Sequence, residues 1–328
     1  FWLKAVSPHL ESTGRAMAGG STPACAADAR LALVAGAALG SFATWLYTRR
    51  ASAEEDEWIE LSAKAGGAHG VMMASRDRRR LLKPLDQASS AQEMEAYRQL
   101  NQTPLAPHLC WFYGTRRVGG LDYMEIDSLY AGLSGTCATM DIKIGWKCYD
   151  ETASPEKIKR SRAKEEKFAA STFKDGYRVI ACSAGGLQLS KDLLAERRSV
   201  STEEFVAWLL PAFFSAAPGF GPLPPGPMGA AAPEPPGSLD VDAEAARGML
   251  GSLRALGAAA DLGFGGDLRA ASVLLVREMR SGGKWSLKLI DLAHFRPTSE
   301  PRDTNFCDPL QNLATTWGTW CRTWSGEP

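Results

Sequence analysis

The sequence lacks an excess of charge of either sign, because its 328 residues carry 37 Lys plus Arg and 37 Asp plus Glu. No global field attracts a polyanion, so we expect no nucleic acid partner, and any anion site must be a local cluster of basic residues. Paired cysteines are also lacking, since the seven cysteines include no CxxC pair. That usage fits a reducing compartment better than a disulfide framework. His69, His108 and His294 have no zinc-like spacing from cysteine, which argues against a structural zinc site.

A long and strongly apolar run is lacking as well. The nearest candidate is residues 31–48, which carry no charge and lie between Arg30 and Arg49. Its length is at the lower limit for a bilayer span, and its Ala and Gly content makes it weakly apolar. The alternatives are a membrane anchor, which would keep the C-terminal bulk in the cytosol, and a targeting segment or disordered leader. Residues 1–57 are therefore interpreted as a leader, with membrane association through 31–48 left open.

Periodic structure begins near residue 58 and predicts one domain over 58–328. The predicted elements are paired strands from 58 to 84 with a turn at Gly66-Gly67, strands over 121–126 and 139–144, helices over 91–100, 155–167, 202–210 and 241–256, and a hairpin over 272–291. Pro211 is expected to end or kink the helix before it. Residues 218–237 hold eight prolines and five glycines, which predicts a flexible surface insertion. Strands with separate helices and no regular βαβ repeat predict an α+β fold.

The segment CATMDIKIG (137–145) carries the strongest chemical signal. In a strand, residues two apart share a face, so Asp141 and Lys143 would lie side by side while the alternating apolar residues enter a core. A carboxylate beside an ammonium suits phosphoryl transfer, because the acid can hold a nucleotide hydroxyl and the lysine can neutralise moving phosphate charge. The alternative is a structural ion pair on an edge strand, which these two residues taken alone would favour.

The run KIKRSRAK (157–164) holds five cations and no acid. On a helix, Lys157, Arg160 and Lys164 have spacings of three and four, so they form one line, here named the basic stripe. Beside a phosphoryl-transfer strand, the basic stripe would hold a multiply phosphorylated small molecule. The alternative is a solvated basic face.

The C-terminal hairpin offers a metal site. With the turn centred on Gly282-Gly283, Asp291 is predicted to lie opposite Leu274, with Ser272 near the same end. A carboxylate where a strand leaves the core, with a hydroxyl nearby, suits Mg²⁺ bound to ATP phosphates. The alternative is an aspartate that only caps the end of the strand.

Together and in this order, these segments resemble the inositol polyphosphate kinase family. Its signature PxxxDxKxG matches 137–145, with Cys137 in place of the proline. Further matches are LKP (82–84), Glu93 with Glu95 and Tyr97, GYR (176–178), SVLL (272–275), IDLAH (290–294) and DTNF (303–306). WKCYD (146–150) and ASPEKI (153–158) are most similar to the multikinase branch, whereas AGGAH (65–69) only approximates the family's QVxGH segment. The resemblance extends over about 58–324.

The resemblance implies how the nucleotide is held. Lys83 would contact the ATP phosphates, oriented by Glu93 or Glu95. The hinge would run from Glu125 to Asp127, and its backbone would meet adenine. Asp141 would bind the ribose.

The resemblance also implies how the substrate and the metal are held. Lys143 would contact both the transferred phosphate and the inositol substrate. The basic stripe would grip substrate phosphates, with His294 nearby. Asp291 and Ser272 would bind Mg²⁺.

The fold implied by the resemblance is a two-lobed α+β structure like a reduced protein kinase, with a helical inositol-binding segment inserted after Gly145. The activity implied is transfer of the γ-phosphate of ATP to a hydroxyl of an inositol polyphosphate, such as the trisphosphate, by a monomer in the cytoplasm or nucleus. Two alternatives stay open: a hexakisphosphate kinase that makes pyrophosphates, and a catalytically silent inositol-phosphate-binding module. Retention of Lys83, Asp141, Lys143 and Asp291 favours an active enzyme, because each serves a distinct charge in the transfer.

Overall fold

The computed structural model describes residues 58–61, 71–85, 88–149, 153–169, 171–185, 187–189, 200–215 and 240–325. Within these ranges the chain forms two five-stranded antiparallel sheets and separate helices, and it passes from the first sheet to the second along residues 128–136. The predicted α+β class is therefore confirmed.

The first sheet contains β1 (Trp58–Glu60), β2 (Met73–Ser75), β3 (Arg80–Pro84), β4 (Phe112–Val118) and β5 (Leu121–Asp127), in the order β1-β2-β3-β5-β4. Helix α1 (Ala88–Leu100) leads from β3 towards β4. Tyr97 of α1 is 1% exposed and packs into the core with Met94, as the spacing predicts. Glu93 precedes Tyr97 by four residues and shares its buried face, whereas Glu95 is exposed.

The second sheet contains β6 (Cys137–Ile144), β7 (Tyr177–Ala184), β8 (Leu187–Leu189), β10 (Ser272–Glu278) and β11 (Trp285–Ile290), in the order β11-β10-β6-β7-β8. Strands β9 (Gly266–Leu268) and β12 (Phe295–Pro297) pair with each other. Because β6 is central, its alternating residues Met140, Ile142 and Ile144 are all 0% exposed, as predicted.

Helix α2 (Pro155–Phe168) lies between β6 and β7 in the chain. It begins there because Ser154 accepts a hydrogen bond from the N–H of Lys157 at 3.3 Å and proline fills the first helical position. Helices α4 (Ala243–Asp261) and α5 (Thr304–Ser325) pack against each other and against the second sheet. In the core, the ring centroid of Phe214 lies 5.3 Å from that of Trp317 and 5.6 Å from that of Trp320, and both tryptophans belong to α5.

Helix α3 (202–214) does not end at Pro211. It consists of Thr202–Glu204, a π-helical turn over Phe205–Leu209, and Leu210–Phe214. In the wide turn the N–H of Leu210 reaches the carbonyl of Phe205, five residues back. This turn lies directly before Pro211, which has no N–H to donate, and the helix continues past it.

Helix α4 begins later and ends later than the predicted range of 241–256. Asp242 is its N-cap, because Oδ1 of Asp242 accepts a hydrogen bond from the N–H of Ala245 at 3.0 Å. At the other end, the three alanines over 258–260 favour the helix, which continues to Asp261.

The predicted hairpin forms, but its predicted register is wrong. Ser272 pairs with Ile290, so Asp291 follows the partner of Ser272 and does not lie opposite Leu274. The N–H of Glu278 bonds to the carbonyl of Lys284 at 2.9 Å, which centres the turn near residue 281 instead of on Gly282-Gly283. The observed register brings Asp291 nearer to Ser272.

Several predicted features lie outside the described residues: the leader 1–57 with its segment 31–48, the turn at Gly66-Gly67 and the insertion 218–237. The residues around the insertion are described, and Ser215 and Val241 form an antiparallel bridge there. No helix in the described part of the chain combines the length and the apolar composition that a bilayer crossing requires.

We expect Asp242→Ala to lower the free energy of unfolding by about 3 kcal/mol. Arg277 is fully buried with its guanidinium 3.5 Å from the carboxylate of Asp242, and the substitution leaves that cation with the neutral carbonyls of Phe213, Ser215 and Arg280 but no opposite charge. Asp242→Asn keeps the capping oxygen and removes only the charge, so urea unfolding of both variants separates the two contributions. A loss of less than about 1 kcal/mol in Asp242→Ala would contradict this role for the charge.

Candidate functional site

Three neighbouring strands of the second sheet bring charged and polar residues to one edge. Ser272 of β10 pairs with Lys143 of β6 on one side and with Ile290 of β11 on the other. Asp291 follows Ile290, so Lys143, Ser272 and Asp291 lie side by side. Asp141 lies two residues inward along β6 and is buried, at 6% exposed. The predicted acid and base of β6 are therefore brought together with the predicted metal ligands.

Lys83 of the first sheet reaches the same edge. Its Nζ lies 2.6 Å from Oε2 of Glu93 on α1 and 3.6 Å from Oδ1 of Asp291. Burial lowers the pKa of Lys83, but the two carboxylates outweigh burial and raise it, so the ammonium stays charged at neutral pH. Glu95 does not reach this group, because it pairs with Arg98 at 3.4 Å on the exposed face of α1.

Two buried oxygens at this edge, Oδ1 of Asp141 and Oγ of Ser272, have no hydrogen-bond partner among the described residues. Burial and the charge of Asp291 raise the pKa of Asp141 to about 6, although the neighbouring Ser272 hydroxyl and Lys143 act to lower it. These two oxygens lie near the carboxylate of Asp291 and have no partner, which indicates a place for a cation or for a ligand hydroxyl.

A divalent cation fits the oxygens of Asp291 and Ser272, because Mg²⁺ prefers oxygen ligands. Among the residues that the structure describes, no group of three or more His, Cys, Asp or Glu could hold a metal by itself. A sparse set is sufficient for Mg²⁺, which usually takes one or two carboxylates together with phosphates and waters. Asp291 also has a left-handed backbone with φ +59°, and such strain of about 1–3 kcal/mol is concentrated at ligand sites.

Two glycines hold the chain after β6 close to α5. Gly145 has φ +112°, and a Cβ there would lie 2.8 Å from Nδ2 of Asn305. Gly176 has φ +85°, and its Cβ would lie 2.5 Å from Cγ of Pro309. The N–H of Gly145 donates to the carbonyl of Gly176 at 2.7 Å, and the N–H of Lys147 donates to Oδ1 of Asn305 at 2.8 Å. A side chain at either glycine would push α5 away, so the end of the motif is fixed in place.

The structure places the predicted hinge residues Glu125 and Asp127 inside the first sheet. Glu125 lies between β3 and β4, and its carboxylate binds Arg80 at 2.5 Å and Arg116 at 2.9 Å. The N–H of Asp127 donates to the carbonyl of Trp111 at 2.9 Å. The N–H of the next residue, Ser128, donates to the carbonyl of Arg79 at 2.9 Å, so the backbone stays bonded to the sheet through residue 128, and the hinge at 125–127 stays a prediction.

The basic stripe is exposed along α2, and α2 is attached to the chain that follows β6. Nε of Arg162 donates to the hydroxyl of Tyr149 at 3.3 Å, and Glu165 accepts the N–H of Cys148 at 3.4 Å. These contacts hold the basic stripe on a helix beside the downstream end of the motif. His294 is partly buried three residues after Asp291.

Arg178 is a further candidate to which sequence reasoning assigned no role. Arg178 on β7 lies opposite Lys143 on β6 in the strand register. Its guanidinium lies 4.1 Å from the ring centroid of Phe168 at the end of α2. Burial lowers the pKa of Arg178, while Cys148 and Asp141 act to raise it. The available sequence signal was the GYR match, but only the strand pairing shows that this cation lies between Lys143 and α2.

Comparisons with known proteins bear on the family and the fold of this chain. The sequence profile of the family described as inositol polyphosphate kinase matches residues 123–317, which is more than half of the chain. The crystal structure of inositol phosphate multikinase Ipk2 from S. cerevisiae, in complex with ADP and Mn²⁺, has a TM-score of 0.54 at 18% identity and covers 74% of this chain and 99% of that chain. A second inositol phosphate multikinase structure, from a study of protein engineering, has a TM-score of 0.52 at 19% identity and covers 69% and 96%.

No curated protein sequence matches this chain. The structural likeness confirms the predicted kinase-like fold with its two sheets in separate lobes. The profile match, which contains the motif at 137–145 and the hairpin with Asp291, identifies the family. The chain belongs to the inositol polyphosphate kinase family.

Proposed function

We propose that this protein is an ATP-dependent kinase that transfers the γ-phosphate to a hydroxyl of an inositol polyphosphate, of the multikinase or trisphosphate kinase type. The observation that carries the proposal is the convergence of Lys83, Lys143 and Asp291 on one edge, beside the unpaired buried oxygens of Asp141 and Ser272. Fixed cations that meet phosphates, next to oxygens that bind a metal ion or a ribose, are what phosphoryl transfer uses.

Each protein group has a distinct task in this proposal. Lys83, held by Glu93, contacts the phosphates of ATP, and the backbone of the hinge at 125–127 meets the base. Asp141 accepts a hydrogen bond from a ribose hydroxyl, which gives its buried Oδ1 a partner. Lys143 contacts the transferred phosphate and stabilises the charge that moves during the transfer.

Asp291 and Ser272 hold Mg²⁺ in this proposal. The metal ion, when bound, neutralises phosphate charge and aligns the phosphates for in-line transfer. Asp291 keeps 44% of its side chain exposed, so it can reach a bound nucleotide while Lys83 lies against its other side. The ADP and Mn²⁺ in the related multikinase support a nucleotide and a divalent metal here.

The basic stripe is proposed to bind the substrate phosphates. Replacing Lys157, Arg160 and Lys164 together by alanine is expected to raise the KM of the inositol phosphate about a hundredfold, because up to three charge contacts of about 1 kcal/mol each are lost. The KM of ATP should change less than threefold. Lys159→Ala is a matched control, because Lys159 is also exposed on α2 but lies on the opposite side. Steady-state kinetics with each substrate varied in turn would show this, and an unchanged KM for the inositol phosphate would exclude the basic stripe.

The activity is tested by incubating the full chain with labelled ATP, Mg²⁺ and a panel of inositol phosphates, followed by separation of the products. A product with one more phosphate ester on the ring supports the proposal. A pyrophosphate made from the hexakisphosphate would instead identify the hexakisphosphate kinase alternative. Binding of an inositol phosphate without any transfer would identify the silent binding module.

A further inference from the structure

Residues 128–136, here named the linker, carry the chain from the first sheet to the second. Backbone turns close at 128–131 and 130–133, with N–H···O distances of 3.0 and 3.1 Å. Gly132 and Gly135 both have φ +72°. Turns and glycines give a segment little rigidity of its own, so contacts with its neighbours must set its position.

The carboxylate of Glu278, at the end of β10, supplies such contacts. Its Oε1 accepts the N–H of Ser134 at 2.6 Å and the hydroxyl of Ser134 at 2.9 Å. Its Oε2 accepts Nε of Arg280 at 2.8 Å and the N–H of Lys284 at 3.0 Å. One carboxylate that is 1% exposed therefore binds the linker through one oxygen and the β10–β11 turn through the other.

These hydrogen bonds keep Glu278 ionised. Burial alone would raise the pKa of Glu278, but the hydrogen bonds donated by Ser134, Lys284 and Arg280 outweigh burial and lower the pKa to about 2. Hydrogen bonds to an ionised acceptor are roughly twice as strong as those between neutral groups. The contact is therefore charge-assisted at neutral pH.

The β10–β11 turn contacts the linker at two further points. The N–H of Met279 donates to the carbonyl of Thr136 at 2.9 Å, and Nζ of Lys284 donates to the carbonyl of Gly132 at 3.3 Å. Both bonds lie beside the carboxylate of Glu278, so the turn and the linker form one hydrogen-bonded unit.

We infer that Glu278 is a positioning residue for the nucleotide, because it fixes the linker, which continues directly from the hinge at 125–127, against the β10–β11 turn and so sets the position of the hinge that meets the base. This inference rests on the proposed function. Glu278 is separated from Ser272 by the length of β10, about 20 Å, so it touches neither the phosphates nor the metal and acts only through the linker.

Glu278→Gln tests the inference, because glutamine keeps the size of the side chain but loses its charge and one acceptor oxygen. We expect the Kd of ADP, measured by calorimetry on the full chain, to rise about tenfold. The Kd of inositol trisphosphate should stay unchanged. Amide hydrogen exchange over 132–136 should become faster, while exchange in α4 stays the same. None of these measurements depends on turnover.

Glu204→Gln is the matched control. Glu204 also accepts a backbone N–H through its carboxylate, from Ser201 at 2.8 Å, but at the start of α3 and away from the linker. It should lower stability and leave the Kd of ADP unchanged. If Glu278→Gln does not fold, Lys284→Ala removes only an exposed contact to the linker and is expected to raise the Kd of ADP about threefold.

The outcomes separate the inference from the proposed function. Unchanged ADP affinity in Glu278→Gln, or in Lys284→Ala if the first variant does not fold, would make this contact structural only and would overturn the inference alone. Failure of the unaltered protein to bind ADP would overturn the proposed function and, with it, the role of Glu278. Weaker ADP binding in Glu278→Gln but not in Glu204→Gln supports the inference.

Discussion

Lys143→Ala is expected to lower turnover by about a thousandfold or more, while the melting temperature stays within about 3 °C. In the proposed transfer the ammonium of Lys143 contacts the transferred phosphate, and no neutral side chain can replace its charge. Its removal leaves the apolar face of β6 untouched, and Lys143 itself is only partly buried. Steady-state kinetics at saturating ATP and inositol phosphate would measure the first effect, and thermal unfolding would measure the second.

Lys174→Ala is the matched control for this variant. Lys174 is 50% exposed and pairs with Glu203 at 3.7 Å, which is a surface contact worth less than about 1 kcal/mol. It should keep normal turnover and normal stability. If Lys143→Ala kept more than about a tenth of the turnover, the catalytic role of Lys143 would be wrong. Loss of one such charge contact at a phosphoryl-transfer site is expected to lower turnover by more than about tenfold.

The sequence predicted β6 well because strand periodicity is strict. Residues two apart must share a face, so the burial of Met140, Ile142 and Ile144 follows from the same pattern that puts Asp141 beside Lys143. Helix periodicity also decides which glutamate of α1 faces Lys83. Glu93 precedes the buried Tyr97 by four residues and therefore faces Lys83, whereas a spacing of two turns Glu95 towards solvent.

Features that depend on pairing between distant segments are harder to predict from the sequence. The predicted register of the hairpin was wrong because the bond between Glu278 and Lys284 centres its turn near residue 281. A shift of this kind moves every cross-strand partner, and it decides which residue lies next to Ser272. Arg178 and the contact between Glu278 and Ser134 join residues far apart in the chain, so no local pattern signals either of them.

Asp291→Asn is expected to lower turnover by about a thousandfold or more without destabilising the protein. The charge that would hold the metal ion is lost, while Lys83 keeps its 2.6 Å contact with Glu93. Asparagine tolerates the left-handed backbone that Asp291 adopts, with φ +59°. The charge of Asp291 also raises the pKa of the buried Asp141, so its removal relieves a repulsion. Thermal unfolding without metal should therefore give an unchanged or slightly higher melting temperature.

Removal of the metal isolates what Asp291 does. The Kd of ADP in the unaltered protein should rise about tenfold or more when Mg²⁺ is replaced by EDTA, whereas in Asp291→Asn it should hardly respond. Asp308→Asn is the matched control, because Asp308 is 43% exposed against 44% for Asp291 and also contacts a cation, Arg302. It should keep the full response to EDTA. A response that persisted in Asp291→Asn would show that other oxygens hold the metal, because this substitution changes the charge of the side chain while leaving its size and its backbone in place.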